Sequence, residues 1–140
     1  MSGWGSTRYK GAAANVLQYA LIGFAANRSA CVEAYSNRTG IRQITGNMLC
    51  AGGRQKDSCE GDSGGPLSCF KWNRREKLDE VYLCGIVSFG VGCKAAVPGM
   101  YTDVSKYYGW IQKHIATAER TLWSKEITIA MIISISMLQK

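Results

Sequence analysis

Six cysteines, Cys31, Cys50, Cys59, Cys69, Cys84 and Cys93, constrain this chain more than any other feature. No two of them form a CxxC pair, so the spacing of a metal finger is absent. A single histidine, His114, leaves zinc without its usual nitrogen ligands, and no metal or other cofactor is expected. An even number of cysteines without metal spacing points to disulfides formed in an oxidising compartment, so the protein is expected to be secreted. Two glycosylation triplets agree with that, Asn27-Arg28-Ser29 and Asn37-Arg38-Thr39.

Composition narrows the fold. Apolar residues make up 46% of the 140, and a folded chain of this length buries roughly two thirds of its unfolded surface, which excludes intrinsic disorder. Sixteen glycines with two prolines and no repeat exclude collagen and solenoids, and point to short strands joined by many turns. The net charge of +7 is dispersed among aromatic and glycine-rich stretches, unlike a basic tail, so no nucleic acid partner is expected. The N-terminus has no clear secretory leader: Arg8 and Lys10 before Ala12 to Ala26 imitate one, but Asn15, Gln18 and Tyr19 interrupt it.

Along the chain, residues 1–14 read as a loop, Val16 to Phe24 as a buried strand, and Asn27 to Gly46 as a surface excursion holding Cys31 and Tyr35. Asn47 to Gly52 reads as a strand. Pro66 to Phe70 and Val81 to Phe89 read as strands separated by a solvated tip, Lys71 to Glu80, and Met100 to Val104 as a further strand. Asp103 or Ser105 can cap a helix carrying Tyr107, Ile111, Ile115 and Ala118 on one face, with His114 beside that stripe as a surface or structural residue. Ile127 to Leu138 is an apolar tail, too short for a bilayer, which needs about twenty residues. Small residues at Ala116 to Ala118 ahead of it leave a lipid-anchor signal as an alternative to a segment irrelevant to the fold.

The densest chemistry lies in Asp57-Ser58-Cys59-Glu60-Gly61-Asp62-Ser63-Gly64-Gly65-Pro66. Glycines on both sides of Ser63 let the backbone approach a substrate and aim amide groups at a developing oxyanion. Gly, Ser and Asp are also ordinary turn residues.

As a string this loop resembles the nucleophile loop of the trypsin-like serine proteases. Ser2-Gly3-Trp4-Gly5, Asn47-Met48-Leu49-Cys50-Ala51-Gly52, Gly85-Ile86-Val87-Ser88-Phe89-Gly90, Pro98-Gly99-Met100-Tyr101-Thr102 and Tyr108-Gly109-Trp110-Ile111 resemble further family segments in the family's order. The resemblance runs over about residues 2 to 116. The rival GxSxG elbow of the α/β-hydrolases, with Asp79 or Asp103 and then His114, requires a helix after the serine, which Gly64, Gly65 and Pro66 forbid.

The resemblance implies an all-β fold, the C-terminal Greek-key barrel of a two-barrel protease closed by a helix, over residues 1–118, with 119–140 as an unassigned tail. It implies Ser63 as acylating nucleophile, with the amides of Gly61 and Ser63 as oxyanion donors. Asp62 matches the carboxylate that pairs with a new N-terminus on zymogen cleavage. Asp57 matches the base of a pocket for Arg or Lys, Gly90 and Gly99 its walls, and Ser88 to Gly90 the backbone that a substrate strand joins. It implies disulfides Cys31–Cys50 and Cys59–Cys93. The usual partner of Cys69 would lie just upstream of Ser2, and Cys84 is a candidate replacement. Implied partners are protein or peptide substrates bearing Arg or Lys, and protein inhibitors.

The departures bear on activity. The family supplies the histidine base and its aspartate from the barrel that precedes the SGWG segment, whereas no histidine stands upstream of Ser63 here. The chain is therefore expected to be a second barrel without its first: a truncated isoform, a partial gene model or a fragment. Alone it is expected to hydrolyse no peptide at a useful rate, and a non-enzymatic binding module is the alternative. A membrane-anchored protease using the tail is a third reading.

Overall fold

The computed structural model describes residues 1–25, 27–39, 43–53, 55–76 and 78–115. They divide between two compact units, Met1–Ser105 and the part of Lys106–Lys140 that is described. In the first unit a short ribbon pairs β1 (Ser2–Gly3) with β2 (Gln18–Tyr19). A four-stranded antiparallel sheet contains β3 (Met48–Ala51), β4 (Pro66–Asn73), β5 (Leu78–Phe89) and β6 (Gly99–Asp103), in the order β3-β6-β5-β4. The element between β2 and β3 is a helix, α1 (Arg28–Thr39).

The sheet is buried through alternation. Met100 and Tyr101, consecutive on β6 and both 0% exposed, point to opposite faces. On one face Met100 packs with Cys31, Tyr35, Ile44 and Val97; on the other Tyr101 packs with Ala51, Leu67 and Val87. Helix α1 covers the first face with Cys31 and Tyr35, four residues apart and so one above the other on the helix. The expected surface excursion from Asn27 is thus corrected. Asn27 Oδ1 accepts the Ala30 N–H at 2.8 Å, capping a helix whose i, i+4 pair enters the core while Asn37 stays exposed.

The buried strand expected from Val16 to Phe24 is also corrected. Only Gln18–Tyr19 pair as a strand, and Val16, Leu17, Tyr19, Leu21 and Phe24 are each more than half exposed. The segment holds the sheet by its backbone, through Ala20 N to Met1 O, Ala25 N to Cys50 O and Gly52 N to Gly23 O, each 2.9 Å. Of its apolar side chains Ile22 packs against the Tyr101 cluster, while those five face away from it.

The β4–β5 hairpin is longer than expected because pairing continues through Phe70↔Val81, Lys71↔Glu80 and Trp72↔Asp79. Opposite charges facing each other suit strand positions as well as a tip. Asn73 Oδ1 then receives the Arg75 and Glu76 N–H groups and makes the turn. Phe70, Trp72, Val81 and Leu83 remain about half exposed.

Strand β5 has two bulges. Ser68 pairs with Leu83 and Leu67 with Gly85, so Cys84 has no partner across β4; Val87 pairs with Tyr101 and Phe89 with Met100, so Ser88 has none across β6. Residues two apart on a regular strand share a face, yet Val87 joins the Tyr101 cluster and Phe89 the Met100 cluster. The Ser88 bulge makes that exchange.

A 3-10 turn (Val104–Tyr107) begins at the end of the first unit, and in the second unit residues 108–115 are helical. Asp103 Oδ1 accepts both the N–H and the hydroxyl of Ser105, at 3.0 and 2.6 Å, and so starts that turn. Ile111 is half-buried, while Tyr107 and Ile115 are 39% and 50% exposed. His114 is exposed, stacked on Trp110 with ring centroids 4.2 Å apart. Ala118 and the apolar run from Ile127 lie outside the described residues, among which no helix is long and apolar enough to cross a membrane.

Candidate active site

The loop from Asp57 to Gly65 is fixed by its own backbone and by two anchors. Asp62 N donates to Cys59 O at 3.0 Å and Gly65 N to Asp62 O at 2.8 Å. Gly64 N donates to Val87 O, and Val87 N returns to Gly65 O, both at 2.9 Å, so the loop's end is stitched to β5. The disulfide Cys59–Cys93 ties its beginning to the segment after β5. Gly61 and Gly64 have φ of 94° and 79°, the left-handed region that glycine adopts without steric cost. Two such residues around Asp62-Ser63 let the chain reverse twice and leave Ser63 exposed between bonded neighbours.

Amide use alternates here. The N–H groups of Asp62, Gly64 and Gly65 are all donated, whereas among the described residues those of Gly61 and Ser63 donate to nothing. Two unspent donors beside an exposed hydroxyl can receive a negative oxygen without first breaking a bond. The Ser63 hydroxyl also has no partner among the described residues.

Asp62 lies behind the loop, 8% exposed. Its Oδ1 accepts the Gly5 N–H at 2.9 Å and its Oδ2 the Cys59 N–H at 3.0 Å. The strand and loop carrying Gly3 and Gly5 press directly on this carboxylate. A Cβ at Gly3 would lie 2.1 Å from Oδ1, and one at Gly5 2.5 Å from Cγ.

Ser63, Ser88 and Gly90 line one concavity of about 330 Å³, together with Ser58, Gly92 and the Cys59–Cys93 disulfide. The bulge at Ser88 turns that residue outward into it. Asp57 lines a neighbouring cavity of about 280 Å³, with Asp62, Lys56 and Lys94. Cys59 and Cys93 line both, so their disulfide is the partition between them. Gly99 bridges the arrangement: a Cβ there would fall 2.7 Å from Asp57 Oδ1, and one at Gly90 would lie 3.9 Å from the Gly99 Cα. The structure thus brings Ser63, Ser88 and Gly90 together and sets Asp57 behind Gly99 in the adjoining space.

Burial raises the Asp57 carboxyl from its ordinary 3.8 to about 6, opposed by hydrogen bonds from the backbone of Ser58 and Lys94. A half-buried acid with a perturbed pKa lining a cavity is a candidate functional group. Around it stand groups that the sequence did not single out. Tyr101 OH donates to Ser58 Oγ at 3.3 Å, and Tyr35 OH donates to Pro98 O at 2.7 Å, immediately before Gly99. Desolvation keeps both phenols protonated, raising their pKa. Tyr101 stood in a segment that the resemblance picked out, Pro98-Gly99-Met100-Tyr101-Thr102, and Tyr35 in the stretch read as a surface excursion, neither with a role at the site.

The remaining predicted pairs lie apart from this centre. Cys31 and Cys50 join α1 to β3, and Cys69 and Cys84 join β4 to β5.

An antiparallel sheet with a glycine-hinged serine loop stitched to its central strand is the architecture of a trypsin-like β-barrel half-domain. A family model described as Trypsin matches residues 1–111. The chain is 41% identical over 119 residues to the trypsin of Sus scrofa, an alignment covering 83% of this chain and 45% of that protein. It is 43% identical over 113 residues to trypsin Tyr p 3.0101 of Tyrophagus putrescentiae, covering 78% and 35%. To the vitellin-degrading protease of Bombyx mori it is 41% identical over 118 residues, covering 82% and 39%. The chain belongs to the trypsin family, and it spans less than half the length of these relatives.

Proposed function

We propose that this chain carries the nucleophile half of a secreted serine endopeptidase that cleaves after Arg or Lys. The observation that carries the reading is the exposed Ser63 flanked by the two undonated amides of Gly61 and Ser63. In this reading Ser63 Oγ attacks the scissile carbonyl, the two amides receive the oxyanion, the amine departs, and water hydrolyses the acyl-enzyme. Asp57 meets the substrate cation through the gap that the side-chain-free Gly99 and Gly90 leave, and Ser88 to Gly90 align the substrate backbone. Asp62 exchanges its present donors for a liberated N-terminus on activation. The base and its orienting aspartate come from the part of the relatives that this chain does not span.

The functional barrel extends over residues 1–118, with 119–140 outside it. Secretion accounts for the three disulfides and for glycans at Asn27 and Asn37. Protein substrates and protein inhibitors are the partners, and no cofactor is used. The alternative reading is a binding module without turnover.

An arginyl phosphonate probe separates these readings. In a longer protein that includes the relatives' first half, Ser63 is labelled and arginyl peptides are cleaved, and Ser63→Ala abolishes both. The 140-residue chain alone cleaves nothing, because removing triad members costs on the order of a million-fold. Cleavage by a homogeneous preparation of the short chain, lost in Ser63→Ala, would overturn the assignment of the base.

A further inference from the structure

The β4–β5 hairpin carries a disulfide at the one point where its register changes. Cys69 lies on β4, opposite Tyr82, and Cys84 is the unpaired residue of the bulge, so the bond crosses the pair diagonally with Cα atoms 5.8 Å apart. Both cysteines are half-buried: Cys84 packs against the Tyr101 cluster with its Sγ 3.2 Å from Leu67 O, while Cys69 lines a surface cavity with the exposed Phe70 and Tyr82, so a small thiol approaches the bond from the Cys69 side. On the turn side of the bulge the hairpin contributes nothing to the Ser63 concavity. On the other side, three residues beyond Cys84, Val87 exchanges hydrogen bonds with Gly64 and Gly65, and Ser88 and Gly90 line the concavity.

Register slips are resisted wherever one face is packed, and least where a bulge already breaks the ladder. The disulfide adds its constraint at that place. It also differs from its two companions in what its loss would undo. The strands on either side of it are already paired, so the hairpin survives reduction, whereas Cys59–Cys93 joins two segments outside any strand and Cys31–Cys50 ends in a core residue 1% exposed.

We propose that Cys69–Cys84 is a redox-operated register clamp, whose opening by a dithiol loosens the β5 wall of the Ser63 concavity and whose reoxidation by exchange with a small-molecule disulfide, itself reduced to two thiols, restores it. The functional consequence rests on the protease reading given above; the clamp itself does not. In the opening step a thiolate of the reductant attacks one sulfur, and the resulting mixed disulfide is resolved by the reductant's second thiol. The sulfur–sulfur bond of the protein breaks, Cys69 and Cys84 each take up a proton given up by the reductant's two thiols, and the reductant leaves as its cyclic disulfide carrying the oxidation.

The test is graded dithiothreitol treatment of the 140-residue chain, with thiol alkylation, peptide mapping and amide hydrogen exchange. Cys69 and Cys84 should alkylate before the other four cysteines. Exchange at Gly64 and Val87 should then rise about tenfold while the β3–β6 amides stay protected, as local opening without global unfolding requires. A Cys69→Ser/Cys84→Ser double variant should show the fast exchange from the start and no further response to dithiol. Alkylation of another pair first, a free Cys84 in the oxidised protein, or unchanged exchange at Gly64 and Val87 after reduction would each overturn the clamp. Failure of Ser63 to take the phosphonate in the longer protein, with the amides responding here, would remove the protease reading and leave the clamp standing.

Discussion

Asp62 Oδ1 accepts the Gly5 N–H at 2.9 Å, a bond between residues 57 apart in sequence that fastens the SGWG segment to the serine loop. The bond needs Gly5 to have no side chain, since a Cβ would enter the carboxylate.

Gly5→Ala should therefore destabilise the fold by about 2–3 kcal/mol, the usual cost of overpacking. Denaturant unfolding measures it. In an Asp62→Ala background the same substitution should cost far less, and the double-mutant cycle should return a coupling above about 1 kcal/mol. An additive result would show that the clash is relieved elsewhere.

Asp57 makes stability depend on pH. Its folded pKa of about 6 lies above its ordinary 3.8, so between those values the folded chain binds more protons than the unfolded one. Stability from this group is fully present below pH 3.8 and lost as pH rises through 6. Relative to the native chain, Asp57→Asn should gain stability progressively across that window and no further above it. Urea midpoints at pH 4, 5, 6 and 7 show the trend, and parallel curves would remove the assignment.

Tyr35, fully buried, donates to the carbonyl next to the Gly99 bridge. Tyr35→Phe should cost about 1–2 kcal/mol by leaving the Pro98 oxygen short of a donor. Tyr35→Ala should cost about 3–5 kcal/mol by adding a cavity. Thermal or urea unfolding of the pair separates the hydroxyl from the ring.

Asn27 has a cap role distinct from its glycosylation triplet. Asn27→Ala should lower stability by about 1 kcal/mol in protein made without glycans, whereas Ser29→Ala, which destroys the triplet and keeps the cap, should not. Equal effects would show that the cap bond contributes nothing.

The sequence carried much of the sheet and of the loop because those parts are governed by short-range chemistry. Glycines on both sides of Ser63 announce a backbone that turns sharply, and β3, β5 and β6 announce themselves by apolar runs between glycines. Helix α1 was legible too, in Asn27 and the Cys31–Tyr35 spacing, but two surface triplets in the same stretch argued for an excursion. The Val16 to Phe24 run shows the limit of hydropathy: it records what a segment could bury, while burial requires a second surface. Bulges leave no compositional mark at all. Cys84 and Ser88 fall out of register because the packing of Leu67, Gly85 and Tyr101 on one face and of Phe89 on the other must both be satisfied.

Those two bulges, four positions apart on β5, also give the strand a modular character. Gly85 and Ile86 are paired on both sides, Val87 is held by β6 and by the serine loop, and each bulge absorbs a mismatch arriving from beyond it. With the Cys69–Cys84 disulfide closed, residues can be added to or removed from the 74–76 turn, its arms lengthened or shortened in step, and the change stops at Cys84 before reaching the serine loop. The hairpin is accordingly a place where a designer can graft a peptide without retuning the pocket.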